Sequence, residues 1–324
     1  MFSEQHPSSL LYREQTASNF VSTQVTGVYG NQDGSRAITF RIGNGGAGYT
    51  GVLKVLAEAF IKSHEKSLRI GWVANPSRFT LVALLPDVVQ VALTYEPNDE
   101  QIACEEGWAT RVCKVFNDHF VLVGPSSNPA NIKPGEPVVS AFRKLGRYGG
   151  SNSKYWASSP ALFQSRGNAS ATYAKEKHLF RAAKIDASRA PWLDTEDLPP
   201  YEALKLASMN RSYHLTDRAT LLTAVHEGTI KDMVVYAEGG RELLNPCSAM
   251  VAAKRPQLQS GDKDWPMMFA KWLAGDEAQG IIKHYGTDWS HGMPLFTTAS
   301  EEHFEPAAHL AGKHLAGNAR PLKL

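Results

Sequence analysis

The polar and apolar positions of the chain alternate between two periods. In "AITFRIGNGG" Ile38, Phe40 and Ile42 fall on one face of a strand that runs into a glycine-rich turn, and "TGVLKVLAEAFIKSH" then places Val52, Leu53, Leu56, Ala59 and Phe60 at helical spacing. With the strand-like "LRIGWVA" that follows, these segments make one βαβ unit. "DVVQVALTY" and "HFVLVGPSSNPA" are continuous apolar strands of the kind a buried parallel sheet needs. Beyond a Pro/Gly-rich break at 125–137 the pattern predicts a helix at about 171–183 and another near "YEALKLASMN". Strands at "SYHLTD" and "MVVYAE" and a return at "LLNPCSAMVAAK" come next. "DWPMMFAKWLAG" and "DEAQGIIKHYG" close the series as two helical patterns, with Asp276 and Glu277 placed to cap the second. Alternating strands and helices with two chain crossings predict an α/β protein of two Rossmann-like lobes joined by a hinge and facing a cleft. The expected division is a polar N-terminal arm at 1–35, one lobe from 36–124 plus 248–324, and a second from 125–247.

Composition narrows the function. The 324 residues are 43% apolar and 20% charged with a net charge of +2, an ordinary balance for a soluble globular protein. Lys and Arg are scattered, so nucleic acid is not an expected partner. No run approaches the apolar length a membrane span requires. Cys104, Cys113 and Cys247 form no C-x-x-C and no metal-ligand spacing with histidines, and neither a metal nor a cofactor is expected. The N-terminal "MFSEQHPSSLLYREQTASNF" lacks the charged start and apolar core of a secretory signal. The expectation is a cytoplasmic location, or an extracellular one if a leader is missing from this sequence.

Three strand-to-helix turns carry the candidate chemistry: "RIGNGGAGYTG", "SRGNASAT" and "LTDRAT". Turns at the carboxyl ends of strands are where ligands bind in open α/β sheets. In the second, Asn168, Ser170 or Thr172 can cap the helix start, and Arg166 beside the positive helix end makes an anion the natural occupant. In the first, Gly43, Gly45 and Gly48 satisfy the bare G-x-G-x-x-G spacing of a dinucleotide turn. That motif also wants an acidic residue ending the next strand; "RIGWVANPS" has none, and Glu65 precedes the strand.

Collinear segments over most of residues 38–297, among them "TGVLKVLAEAF", "DVVQVALTY", "FQSRGNASATYAKE", "YHLTDRAT", "LLNPCSAMVAAK" and "FAKWLAGDEAQGIIKHYG", resemble the tungstate-binding solute-binding proteins of oxyanion transporters, periplasmic-type proteins of type II. The resemblance implies a solute-binding protein that closes on a small anion such as tungstate or molybdate, held by hydroxyls, backbone N–H groups and one or two arginines. Its transporter partner would follow only from secretion. Carried over, it implies Ser165, Arg166, Ser170 and Thr172 in the second turn and Arg218 in the third, with Asp217 fixing Arg218. In the first turn it implies Thr50 and Gly51, joined by Asn44 and Gly46 in a glycine nest. "GNGGAG" departs from the family's Thr/Ser-rich turn, and "DLPPY" replaces a glycine-rich one, so that Tyr201 either fills the space or stacks on a ligand. These departures favour a larger organic anion over tungstate. An enzyme or intracellular sensor on the same scaffold is the alternative, with Tyr49, Tyr201 or His214 as first acid or base candidates. His119, His214 and His226 otherwise read as partly buried, hydrogen-bonded histidines.

Overall fold

A computed structural model describes residues 21–31, 37–149, 161–167, 169–188, 190–254, 259, 261–301 and 310–315. The chain divides into two compact units. Unit 1 comprises 1–117, 246–285 and 297–300; unit 2 comprises 118–245, 286–296 and 301–324. The strands in chain order are β1 Val25–Gly30, β2 Phe40–Asn44, β3 Arg69–Ala74, β4 Val91–Thr94, β5 Ala109–Pro125, β6 Phe163–Ser165, β7 Leu193–Thr195, β8 Tyr213–Asp217, β9 Met233–Ala237, β10 Leu244–Ala252, β11 Thr297–Thr298 and β12 His314–Leu315. β5 and β10 are long enough to run from one unit into the other.

In unit 1, β3 and β4 flank β2 in parallel, with Ile42 opposite Trp72 and Val91. β1 pairs antiparallel outside β3 and β10 antiparallel outside β4. β1 arises within the stretch expected as a polar arm: Tyr29 is buried there although the segment shows little apolar patterning. The helix Val52–His64 buries Val52, Leu53, Leu56, Ala57, Phe60 and Ile61, so Ala57 and Ile61 complete the inner face that the sequence pattern extended toward Ala59. Phe60 meets Phe269 edge-on at 5.2 Å and Trp272 at 5.6 Å, which docks the helix Trp265–Trp272. Rings offset in this way add about 0.5–1.5 kcal/mol per pair beyond the area they bury.

Unit 2 repeats the plan. β7 and β8 flank β6 in parallel, with Phe163 opposite Leu193 and Tyr213, and β5 lies antiparallel to β8. Phe142, Phe163, Phe180 and Trp192 fill its core, with ring centroids 4.9–5.9 Å apart. Phe142 belongs to the helix Val138–Gly149, for which the sequence pattern carries no prediction above; its apolar residues recur at 138, 141, 142 and 145, all buried. The helices Ser77–Val82 and Pro97–Glu105 were also unread. Asp276 and Glu277 occupy the first turn of Asp276–His284 but do not cap it: Gly275 is the N-cap and makes no side-chain bond. Their charge instead complements the helix dipole.

Candidate functional site

Three of the parallel strands, β2, β6 and β8, end beside residues singled out from the sequence. In unit 1 the end of β2 is the glycine turn. Asn44 is fully buried; its Nδ2 donates to the Leu93 carbonyl at 3.0 Å and to Tyr95 Oη at 3.4 Å, and its Oδ1 accepts from Gly48 N–H at 2.9 Å. The side chain thus ties β2 to β4 and fixes the turn. Gly46 opens a four-residue helix, Gly46–Tyr49. Thr50 is buried and donates its hydroxyl hydrogen to the Ala47 carbonyl at 2.8 Å, while its own carbonyl accepts from Tyr285 Oη at 2.5 Å. Gly51 sits at φ +87°, a left-handed conformation that favours glycine, and begins the long helix. The remaining glycines are explained from behind the turn. A Cβ at Gly48 would lie 2.2 Å from the Trp72 ring, and one at Gly43 2.9 Å from Thr80 Cγ2. Close packing accounts for this spacing, with no dinucleotide needed. The polar side chains expected to donate to a ligand here, Asn44 and Thr50, donate to the protein itself.

In unit 2 the end of β6 is different. Ser165 and Arg166 are buried, and Gly167 takes φ +62° to turn the chain. Ser170 is the N-cap of Ala171–Ala182, its Oγ accepting from Tyr173 N–H at 3.2 Å; Asn168 lies outside the described residues. Thr172 is buried in the first turn of the same helix. Ser165 Oγ donates to Oε2 of Glu176, and Arg166 N–H reaches Oε1 at 3.3 Å. Burial pushes the Glu176 carboxyl up to about 8 against the opposing pull of Ser165, the Arg166 N–H and the Arg166 charge. Sequence reasoning missed Glu176 as a functional residue; the signal was a carboxylate on the inner face of the helix, ten residues beyond the arginine.

The neighbouring strand ends converge on the same edge. β8, in register beside β6, ends at Asp217, which caps Arg218–His226: Oδ1 accepts Thr220 N–H at 2.7 Å and Oδ2 the Thr220 hydroxyl at 2.8 Å. Contrary to the expectation from the sequence, Asp217 therefore does not hold Arg218. Arg218 is 1% exposed and pairs through Nη1 with Glu238 Oε2 at 3.0 Å, while its Nε donates to the Pro294 carbonyl. Glu238 Oε1 in turn accepts the N–H groups of Leu310 and Ala311. Beside this pair the Asp118 carboxyl is held far above its usual range by burial and by Asp217. β7, on the other side of β6, leads through Pro199 to the helix Pro200–Met209, with half-buried Tyr201 in its first turn.

Of the acid and base candidates, His214 is buried and its Nδ1 donates to the Gln164 carbonyl at 2.7 Å; desolvation, aided by the Arg166 charge, brings it down to about 4. It is neutral near pH 7. His119 is likewise brought down to about 4 by burial and Arg218. His226 is exposed and lies against Trp289, centroids 4.6 Å apart, contrary to the buried setting expected for it. Tyr49 is 39% exposed and packs edge-on against Trp72. Among the described residues no group of three or more His, Cys, Asp or Glu could hold a metal ion, and no helix is long and apolar enough to cross a membrane.

Residues 23–277 match the PBP superfamily domain. The chain belongs to that superfamily. Within it, the tungstate-binding protein TupA of Peptoclostridium acidaminophilum is 27% identical over 201 residues, which is 61% of this chain and 64% of that protein. The match therefore spans a little under two thirds of that relative's length. The crystal structure of a periplasmic protein named, provisionally, for metal binding superposes with a TM-score of 0.70 at 32% identity, covering 84% of this chain and 98% of that one. The tungstate ABC transporter structure from Geobacter sulfurreducens gives 0.62 at 25% identity over 76% and 98% of the two chains. The two-lobed α/β architecture is that of the type II periplasmic binding proteins.

Proposed function

We propose that this member of the PBP superfamily is a solute-binding protein for a small oxyanion, with tungstate and molybdate the first candidates and the carboxyl edge of the unit 2 sheet supplying the principal contacts. The observation that supports it is a pair of buried arginines and two helix starts at that edge. Arg166 and Arg218, both buried, stand at the ends of adjacent parallel strands, and helices of 12 and 9 residues begin beside them. Opening turns leave N–H groups without intrahelical acceptors, and the helix dipoles favour negative charge there. An oxyanion entering such a site recovers its lost hydration from short charge-assisted bonds. Arg166 is the direct charge partner in this reading. Arg218, engaged by Glu238, sets the field from behind. Two relatives named for tungstate support the ligand class, and an ABC transporter is the corresponding partner.

Thermal unfolding at pH 7 with tungstate, molybdate, sulfate, phosphate and small carboxylates tests the reading. Ligand that binds only the folded chain stabilises it by RT ln(1 + L/Kd), where L is the free ligand concentration, so the melting temperature rises with the logarithm of that concentration above Kd. The expected result is a clear rise with tungstate or molybdate in the wild type and none in a folded Arg166→Ala variant. Absence of a rise with any anion, or an equal rise in the variant, would sink it.

A further inference from the structure

Glu176 is spent on neither a salt bridge at the surface nor a helix cap. It is fully buried on the inner face of Ala171–Ala182, with one oxygen on the Ser165 hydroxyl and the other on the Arg166 N–H, so it grips both residues that end β6. The two protonation states of this carboxyl treat Ser165 in opposite ways. An ionised carboxylate only accepts, which obliges Ser165 to point its hydroxyl hydrogen inward. A protonated carboxyl donates its own hydrogen to Ser165 Oγ, and the serine hydrogen is released toward the strand end.

Resting on the anion-binding reading above, we propose that Glu176 is a positioning residue that couples anion binding to a proton: the oxyanion binds the form with a neutral Glu176, whose O–H turns Ser165 outward as a donor. Starting from the ionised form, one proton moves from solvent to Glu176 Oε2 for each anion bound, and no covalent bond other than that O–H is made or broken. Electrostatics and hydrogen bonding act in the same direction. A carboxylate one residue from the anion would repel it and would also claim the Arg166 charge; neutralising it removes both effects at once.

The charges around Glu176 leave this proton free to respond. Among the described residues the charge acting on it is that of Arg166. From β8, His214 is neutral, held down to about 4, and Asp217 is engaged with Thr220. On the packed helix Val138–Gly149, Lys144 pairs with Glu136, Arg147 lies over Tyr148, and Arg143 is exposed. On its own helix Lys175 donates to the Glu242 carbonyl, Lys177 lies over Tyr173, and His178 and Arg181 are exposed. With the carboxyl near 8 in the anion-free chain, the coupling falls where affinity can be measured on either side of it.

Calorimetric titration of the full chain with tungstate from pH 6.5 to 9.5, in buffers of different ionisation enthalpy, reads the coupling directly. Below pH 7 the wild type should bind with little proton uptake. Above pH 8 the uptake should climb from about one half toward one proton per anion, and Kd should rise by up to about tenfold per pH unit, the limit for one linked proton. Glu176→Gln keeps an N–H donor for Ser165 but cannot ionise, so its Kd should lose the slope, whereas Glu176→Met should bind weakly at every pH. Wild-type tungstate affinity that stays level to pH 9.5 without proton uptake would overturn the coupling while leaving the anion-binding reading intact. Failure of tungstate to bind at pH 6.5 would overturn both.

Discussion

The turn after β2 in unit 1 and the turn after β6 in unit 2 begin alike, each at the carboxyl end of the middle of three parallel strands, and they spend their polar groups differently. In unit 1 the Thr50 hydroxyl and the Gly48 N–H are satisfied inside the turn and the Asn44 amide by the neighbouring β4, and Trp72 fills the space behind it. In unit 2 a buried arginine stands at the corresponding strand end, and its backbone and the preceding serine are held by a carboxyl that burial keeps neutral near pH 7. The difference teaches that position in the topology nominates both turns, while the partners of their polar groups separate the turn closed by packing from the one proposed to bind an anion.

The comparison can be broken most forcefully with acid. His119 and His214, both in unit 2, are held down to about 4, against an ordinary 6.5 when unfolded. A depressed histidine contributes stability that is present above pH 6.5 and is lost as pH falls toward 4. By pH 5 the loss is roughly 2 kcal/mol for each. Glu176, about 8 in the folded chain, and Asp118, raised by burial, titrate in the opposite sense over the same range, so the histidine share is read by difference. Between pH 7 and pH 5 the stability of His214→Gln should fall by roughly 2 kcal/mol less than that of the wild type in urea unfolding, and an equal fall would mean that His214 is not depressed in the fold. Arg166→Ala should weaken tungstate binding by about 100-fold, the scale of one charge-assisted contact, with the urea midpoint changed far less. Gly48→Ala should do the reverse. A Cβ facing the Trp72 ring forces the turn to shift at a cost of about 1–3 kcal/mol, read as a lower urea midpoint, with anion affinity preserved in the folded fraction. The smallest effect is expected for Thr50→Val: the lost hydroxyl bond to Ala47 costs about 1 kcal/mol or less, and tungstate affinity should hold within about twofold. A large loss of affinity in that variant would place the unit 1 turn in the binding site after all.

Much of the architecture could be read directly from the chain. The period-2 run at Phe40–Ile42 and the period-3.6 run at Val52–Phe60 became elements of the expected type, because their patterns each match one burial geometry. The apolar run at 119–123 became a buried strand too, but it pairs antiparallel with β8 and β9 and not in the parallel sheet expected, since strand direction is set by partners elsewhere in the chain. Helices with weaker stripes were harder. Pro97–Glu105 carries acids on its buried face: Asp99 is paired with Arg78 at 2.7 Å and Glu100 with Thr94 and Arg111, and no local pattern announces partners that arrive from other elements. The candidate site followed the same division. Arg166 and Ser170 stand in a recognisable helix-start motif, and Ser170 is the cap. Which hydroxyl donates outward and which donates inward could not be read from "SRGNASAT", because the answer depends on Glu176 one and a half turns into the helix.

By itself the sequence determined the strongly patterned strands and helices and an arginine placed where a strand gives way to a helix. Those features depend on near neighbours and on the choice between two hydrophobic periods. Only the tertiary structure decided that Glu238, and not Asp217, holds Arg218, and that a carboxyl grips Ser165. It also decided that Gly48 of the first turn makes room for Trp72 and Gly43 for Thr80. The reason is desolvation: a polar group's role is set by what remains to satisfy it once water is gone, and that inventory exists only after distant segments have come together.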